Sequence, residues 1–355
     1  MKICILGDTH FGMRGDSIEF HNHYKKFYEE TFFPYLIENN IKTVFQMGDL
    51  FDRRKFINFN TLYLAREYFF DKLKKHNIQF YTIIGNHDIY FKNILDVNSS
   101  TMLLNDYDNI TVIDEPNKMV FDGIDIDVVP WICSDNEQGI IEFIKNSKSQ
   151  ICFGHFEIAG FEMDRGNVCH EGLDKSILKR YDVVLSGHFH HKSTDGQITY
   201  VGTPGEMTWA DYNDARGFHI FDTQTRELEF VLNPNRIFHK ITYDDSNTNF
   251  EFWKKHDYST YKDSYVKVVV LNKQNPYLFD SVIDNFYKCG VSNLVIVEDF
   301  TETIIENDQE LIDQAEDTIT ILNKHIDNTT MNASNIKLKS LMKELYIEAL
   351  NTETE

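Results

Sequence analysis

Five times within its first 190 residues the chain runs an apolar segment into a glycine-containing turn that carries aspartate, asparagine or histidine. The segments are Ile5-Leu6-Gly7-Asp8-Thr9-His10, Met47-Gly48-Asp49-Leu50-Phe51-Asp52, Ile84-Gly85-Asn86-His87-Asp88, Phe153-Gly154-His155 and Leu185-Ser186-Gly187-His188-Phe189-His190. In α/β sheets the crevice at the carboxyl ends of the strands is where sites are built, and glycine permits the tight turns that aim side chains into it. One Gly-Asp or Gly-Asn turn is ordinarily a turn or a helix N-cap. Five in order, each at a strand end and each bearing a ligand-type side chain, predict one shared polar site. Carboxylate, amide and imidazole together suit borderline-hard divalent ions, and the set is larger than one ion needs, which points to two metals.

The pattern between these clusters predicts an α/β fold. Residues 1–7, 43–47 and 79–84 form strands, and aromatic-rich amphipathic helices span 18–39 and 60–76. Further apolar runs at 119–130, 150–153, 182–186, 198–201 and 217–222 predict more strands, with a turn at Phe121-Asp122-Gly123. The expected architecture is a two-sheet β-sandwich flanked by helices. Beyond about 240 the expectation is a compact β-α-β unit: a strand at 264–271, a helix at 277–288 closed by Gly290, and a strand at 293–298. Two amphipathic helices follow. One carries Leu311, Ala315, Ile319, Leu322 and Ile326 on a stripe; the other carries Leu338, Leu341, Met342, Leu345 and Ala349, beyond a polar tether at 327–335.

With 355 residues and 42% hydrophobic content the chain can bury a core of ordinary size and a second small domain. The opening residues lack the basic and long apolar regions of a secretory signal, and no segment approaches the roughly 18–20 apolar residues of a membrane helix, so a cytoplasmic protein is expected. The five cysteines are scattered without zinc-ligand spacing, as suits free thiols. A formal net charge of −21 weighs against unaided adhesion to a polyanion, unless carboxylates hold cations or a partner supplies basic surface.

The order Asp-x-His, Gly-Asp-x-x-Asp, Gly-Asn-His-Asp, Gly-His, Gly-His-x-His over residues 8–190 resembles the calcineurin-like metallophosphoesterase superfamily. The resemblance implies one metal on Asp8, His10, Asp49 and His190, and a second on Asn86, His155 and His188 with Asp49 as the bridge. Manganese is the expected ion, with magnesium, iron or zinc as alternatives. His87 resembles the histidine that contacts the scissile phosphate and helps protonate the leaving oxygen, and Asp52 the carboxylate that orients such a ring. Arg53 or Arg54 is either a phosphate contact or a solvated turn.

Gly-Asp-Leu-Phe-Asp, Gly-Asn-His-Asp-Ile-Tyr-Phe-Lys-Asn, Tyr200-Val-Gly-Thr-Pro204 and Arg216-Gly-Phe-His-Ile look like the SbcD-type DNA exonuclease branch, and most like phage recombination endonuclease subunits. That implies a catalytic domain at 1–240, a small capping or DNA-recognition domain at 241–303, and C-terminal helices at 304–355. It also implies a homodimer, with the 18–39 helix either a candidate surface or simply packed in the core, and an SbcC-type coiled-coil ATPase as partner. The stripe Leu338, Leu341, Met342 and Leu345 would dock on that partner or pack on its own domain. Expected activities are exonuclease action on duplex ends and endonuclease action on single strands. A small-substrate phosphodiesterase or phosphatase of the same superfamily is the alternative, and the acidic charge favours it.

Overall fold

A computed structural model describes residues 1–164, 167–246 and 250–298, so the C-terminal helices expected at 304–355, with Leu338, Leu341, Met342 and Leu345, lie outside the described residues. Two six-stranded sheets dominate. In the first, Lys2–Leu6, Thr43–Gln46, Gln79–Ile83 and Ile110–Ile113 run parallel. Gly217–Asp222 joins antiparallel to Lys2–Leu6 and carries Leu228–Leu232 at the edge. In the second, Ile124–Val129, Ile151–His155, Val183–Gly187 and Ile198–Tyr200 are parallel. Asn117–Phe121 pairs antiparallel with Ile124–Val129 through Asp122 (φ 52°) and Gly123 (φ 76°), the left-handed pair a two-residue hairpin needs.

Side-chain alternation sorts the strands into layers. Ile3, Ile5, Phe45 and Ile83 from the first sheet meet Ile126, Val128, Ile151, Phe153 and Leu185 from the second in one core between the sheets. The intervening Cys4, Leu6 and Val44 face the opposite way, into a core shared with the flanking helices, while Cys152 and Val184 face Ile140 and Ile144 of the helix Glu137–Asn146. The period of two along a strand makes this division automatic. Phe45 is central: its ring lies 4.9 Å from Tyr81, 5.2 Å from Phe153 and 5.5 Å from Phe121. Removing it would cost roughly 3–5 kcal/mol.

The two expected helices are each interrupted by a π-helical turn, at Tyr28–Phe32 and Arg66–Phe70. These wide turns meet, with Tyr28 4.6 Å from Phe69 and stacked on Tyr68. One consequence bears on the two readings of 18–39. Phe20, Tyr24, Phe27, Tyr28 and Phe32 are all buried in this chain's own core, as core packing requires.

The small unit is a parallel three-stranded sheet, Phe238–Asp244, Tyr265–Asn272 and Asn293–Val297, rather than the two strands expected. Parallel pairing needs crossovers, here including the helices Phe250–Lys255 and Pro276–Cys289. The longer helix starts on the Asn275 side chain with Pro276 in its first turn and stops at Gly290 (φ 85°). Tyr243, Trp253, Val266, Val268, Phe279, Val282 and Phe286 form a separate core. The strand Phe238–Asp244 spans position 240, and Phe238 packs against Phe20 of the large domain, so the first strand is shared structural ground.

Candidate metal centre

The parallel strands of both sheets end at one rim. Lys2–Leu6 delivers Asp8 and His10; Thr43–Gln46 delivers Asp49 and Asp52; Gln79–Ile83 delivers Asn86 and His87. From the second sheet come His155 at the end of its strand and His188 and His190 after Val183–Gly187. The turns are tight enough to exclude side chains. A Cβ on Gly48 would lie 2.2 Å from His155 Nδ1, and one on Gly7 would lie 1.7 Å from the carbonyl oxygen of Gly202. His10, Asp49 and His188 themselves adopt positive φ (43°, 54° and 89°), backbone strain of the kind that concentrates at functional sites.

Asp49 lies between two ligand groups. Asp8, His10 and His190 form the first, with His10 Nε2 and His190 Nε2 3.1 Å apart. In the second, the Asn86 side-chain oxygen lies 3.0 Å from His155 Nε2 and 2.9 Å from His188 Nδ1. Asp49 Oδ2 is 3.5 Å from His155 Nε2 and 3.8 Å from His10 Nε2, between the groups, while its Oδ1 accepts from the His87 amide at 2.7 Å. The donor set fits divalent metal. His155 Nδ1 contacts the Met47 carbonyl at 2.7 Å, which requires the proton there and leaves Nε2 with a free lone pair facing Asn86 and Asp49. Asp8 Oδ1 is buried without a hydrogen-bond partner among the described residues, a position that a cation would satisfy.

Electrostatics show the same demand. Burial drives the Asp8 carboxyl up to about 7, the neighbouring Asp49 charge adding to the effect. Burial opposes charge on His10 and His155, yet Asp52, Asp49 and Asp8 outweigh it for His10, and Asp49 and Asp8 for His155, holding both at about 9. Burial and the charged neighbours instead push His188 down to about 3 and His190 well below the usual range. Without metal, protons are gathered between the carboxylates where cations would sit.

His87 stands at the edge of this cluster, its ring 4.8 Å from that of His10. The expectation for Asp52 needs correction. His87 Nδ1 contacts the backbone carbonyl of Asp52 at 2.6 Å, whereas the Asp52 carboxylate lies 3.3 Å from His10 Nδ1. Asp52 therefore holds His87 through its main chain, while its carboxylate lies by His10 and within one cluster with both rings. Asp88, next to His87, is wholly structural: its carboxylate accepts from the Leu50, Phe51 and Gly85 amides and ties two ligand turns together. Arg53 is half-buried and pairs with Asp16 at 3.4 Å, and Arg54 Nε donates to the Ile89 carbonyl at 3.1 Å.

Two supporting residues carried no assigned role in the sequence reading. Trp131 follows the strand Ile124–Val129, a sixth strand end, and its ring lies 5.1 Å from His188 and 5.8 Å from His155. Buried Arg216 donates to the His190 carbonyl and to Thr203 Oγ1, and its other nitrogen pairs with Asp211 (2.6 Å) and Asp214 (2.8 Å). The Arg216-Gly-Phe-His run was the available signal, but the ligand it supports, His190, lies 26 residues away.

The profile of the calcineurin-like phosphoesterase family matches residues 1–192. The chain belongs to the calcineurin-like metallophosphoesterase family. Exonuclease subunit 1 of Enterobacteria phage T4 is 35% identical over 353 residues, covering 98% of this chain and 99% of that protein. Among solved structures, a dimetal phosphatase from Danio rerio aligns over 62% of this chain and 91% of its own, with 10% identity and a TM-score of 0.38. A glutamine-dependent NAD+ synthetase from Acinetobacter baumannii aligns over 99% of this chain and 72% of its own, at 8% identity and a TM-score of 0.26. Neither structural likeness carries weight at such scores. As a metallophosphoesterase the chain is a metal-dependent phosphodiesterase, and among the described residues no helix is long and apolar enough to cross a membrane.

Proposed function

We propose that this metallophosphoesterase is the nuclease subunit of a DNA recombination and repair complex, hydrolysing DNA phosphodiester bonds at a centre for two Mn2+ ions. The observation that carries this reading is the 35% identity to the T4 exonuclease subunit, which spans 98% of this chain, combined with the ligand-type side chains gathered at the strand ends. Asp8, His10, Asp49 and His190 would hold one ion, and Asp49, Asn86, His155 and His188 the other. Such ions supply an acidified water and neutralise charge on the phosphoryl oxygens. The protein's own part is positional. The Met47 carbonyl holds the His155 ring and the Asp52 carboxylate contacts His10, while the Asp52 carbonyl accepts a hydrogen bond from His87 Nδ1–H and leaves Nε2 to exchange a proton with the leaving oxygen.

Residues 1–240 would form the catalytic domain, 241–303 a cap that guides DNA, and 304–355 the contact with an SbcC-type ATPase. A second copy would pack on exposed Phe59, Tyr63 and Met102, which lie on neighbouring helices joined by the Arg66 hydrogen bond to the Leu103 carbonyl. The net charge of −21 favours the competing reading, a small-substrate phosphodiesterase. Manganese-dependent cleavage of end-labelled linear DNA, assayed with and without the ATPase beside a chromogenic phosphodiester, separates them. DNA cleavage that the ATPase stimulates and that His87→Ala lowers by roughly 10²–10⁴-fold is expected; turnover of the small ester alone would reject the nuclease reading.

A further inference from the structure

The chain is strongly acidic overall, yet the loops leaving the metal centre are basic and aromatic. Residues 53–56 read Arg-Arg-Lys-Phe, four positions after Asp49, and residues 90–92 read Tyr-Phe-Lys, three positions after His87. Phe56, Tyr90 and Phe91 are 60%, 42% and 49% exposed, although the protein has deep cores that accept such rings. They are joined to cations and to one another. The Arg53 guanidinium lies 4.8 Å from the Phe56 ring, Lys55 Nζ lies 5.9 Å from Tyr90, and Tyr90 and Phe91 meet edge to face at 4.8 Å.

The loops are held at their bases. Arg54 Nε donates to the Ile89 carbonyl, the Tyr90 amide to the Val97 carbonyl, and the Ser99 amide to the Asp88 carbonyl, while Arg53 reaches Asp16 in the loop after the first strand. Ordered backbone therefore presents exposed rings beside the reacting centre. Aromatic faces take any base by stacking, and interleaved cations follow the phosphates, which is how sequence-tolerant single-strand sites are made.

We propose that Phe56, Tyr90 and Phe91 form a stacking platform for unpaired bases of a single-stranded nucleic acid, whose phosphates run along Arg53, Lys55 and Lys92 toward His87. The inference rests on the nuclease reading for the kind of substrate, and it places the strand on one side of the centre. A second copy of this chain is the competing occupant. Two-fold packing on this patch would set Arg53, Arg54 and Lys55 against their own copies, a like-charge contact that a polyanion turns to advantage.

The test is binding of a single-stranded oligonucleotide containing 2-aminopurine, in EDTA so that no cleavage occurs, by the full chain and by the triple variant Phe56→Ala, Tyr90→Ala, Phe91→Ala. Stacking quenches the probe, and the variant is expected to lose the quench and at least about tenfold in affinity, with turnover of a small chromogenic phosphodiester unchanged. Absence of quenching by the unaltered chain, or equal quenching and affinity in the variant, would overturn the platform. So would a variant that changes only its sedimentation, which would assign the patch to a second copy. Metal-dependent cleavage of DNA by the unaltered chain is scored separately, so failure of the nuclease reading and failure of the platform are distinguishable.

Discussion

The large and small domains both end parallel strands in acidic turns, yet those carboxylates do different work. In the small domain Asp245 follows the strand Phe238–Asp244, stays at the surface, and accepts from the Gln274 and Asn275 amides at 2.7 Å each and from the Tyr243 hydroxyl. Its oxygens are satisfied by a loop, and these bonds hold its pKa low despite some opposing desolvation. Asp8 and Asp49 follow strands of the same kind but are buried, face imidazole nitrogens across a shared space, and leave Asp8 Oδ1 without a partner among the described residues. Asp8 and Asp49 each accept one amide, from His188 and His87, and a strand-end aspartate of this kind can be a ligand when several strands converge and its other oxygen has no amide to satisfy it.

The largest effect in breaking this contrast should come from Asp49→Ala. It removes the carboxylate that lies between the two ligand groups and the acceptor for the His87 amide, so manganese binding measured by calorimetry and phosphodiester turnover should both fall to background. Next is Arg216→Ala, which leaves buried Asp211 and half-buried Asp214 without their guanidinium and frees the His190 carbonyl. A loss of about 3–5 kcal/mol in urea unfolding is expected. A value under about 1 kcal/mol would show that the clamp is not structural.

The proton load gives a smaller effect with a definite sign. His10 and His155 sit at about 9 against an ordinary value of 6.5. Their contribution to the stability of metal-free protein is complete below about pH 6.5 and fades as pH rises through about 9. Melting temperature in EDTA should therefore fall across that interval, whereas the protection given by manganese should grow, because the ion takes the place of protons. At the lower end, Asp245→Ala should cost about 1 kcal/mol, as for lost loop hydrogen bonds, and leave turnover alone.

The site was legible in the sequence because its ligands follow short glycine turns in chain order, and Asp8, His10, Asp49, Asn86, His155, His188 and His190 do come together. The strands were legible through their apolar runs, except where polar residues interrupt them, as in Phe238-His-Lys-Ile-Thr-Tyr-Asp244, of which only Phe238 and Tyr243 are buried. Spacing alone could not tell which ring Asp52 meets, since both His10 and His87 come from other strands. Arg216 and Trp131 act on ligands more than twenty residues distant, and no local pattern reports such contacts. Nor does periodicity distinguish an aromatic stripe that makes a core from one that makes an interface; burial of Phe20, Tyr24 and Phe27 decided it.

The central claim is that two divalent cations share Asp49. Manganese titration followed by electron paramagnetic resonance tests it most directly. The account predicts two Mn2+ per chain at saturation with the exchange-coupled signal of a pair, lost in Asp49→Ala. A single uncoupled ion per chain, or a coupled pair that survives Asp49→Ala, would contradict it.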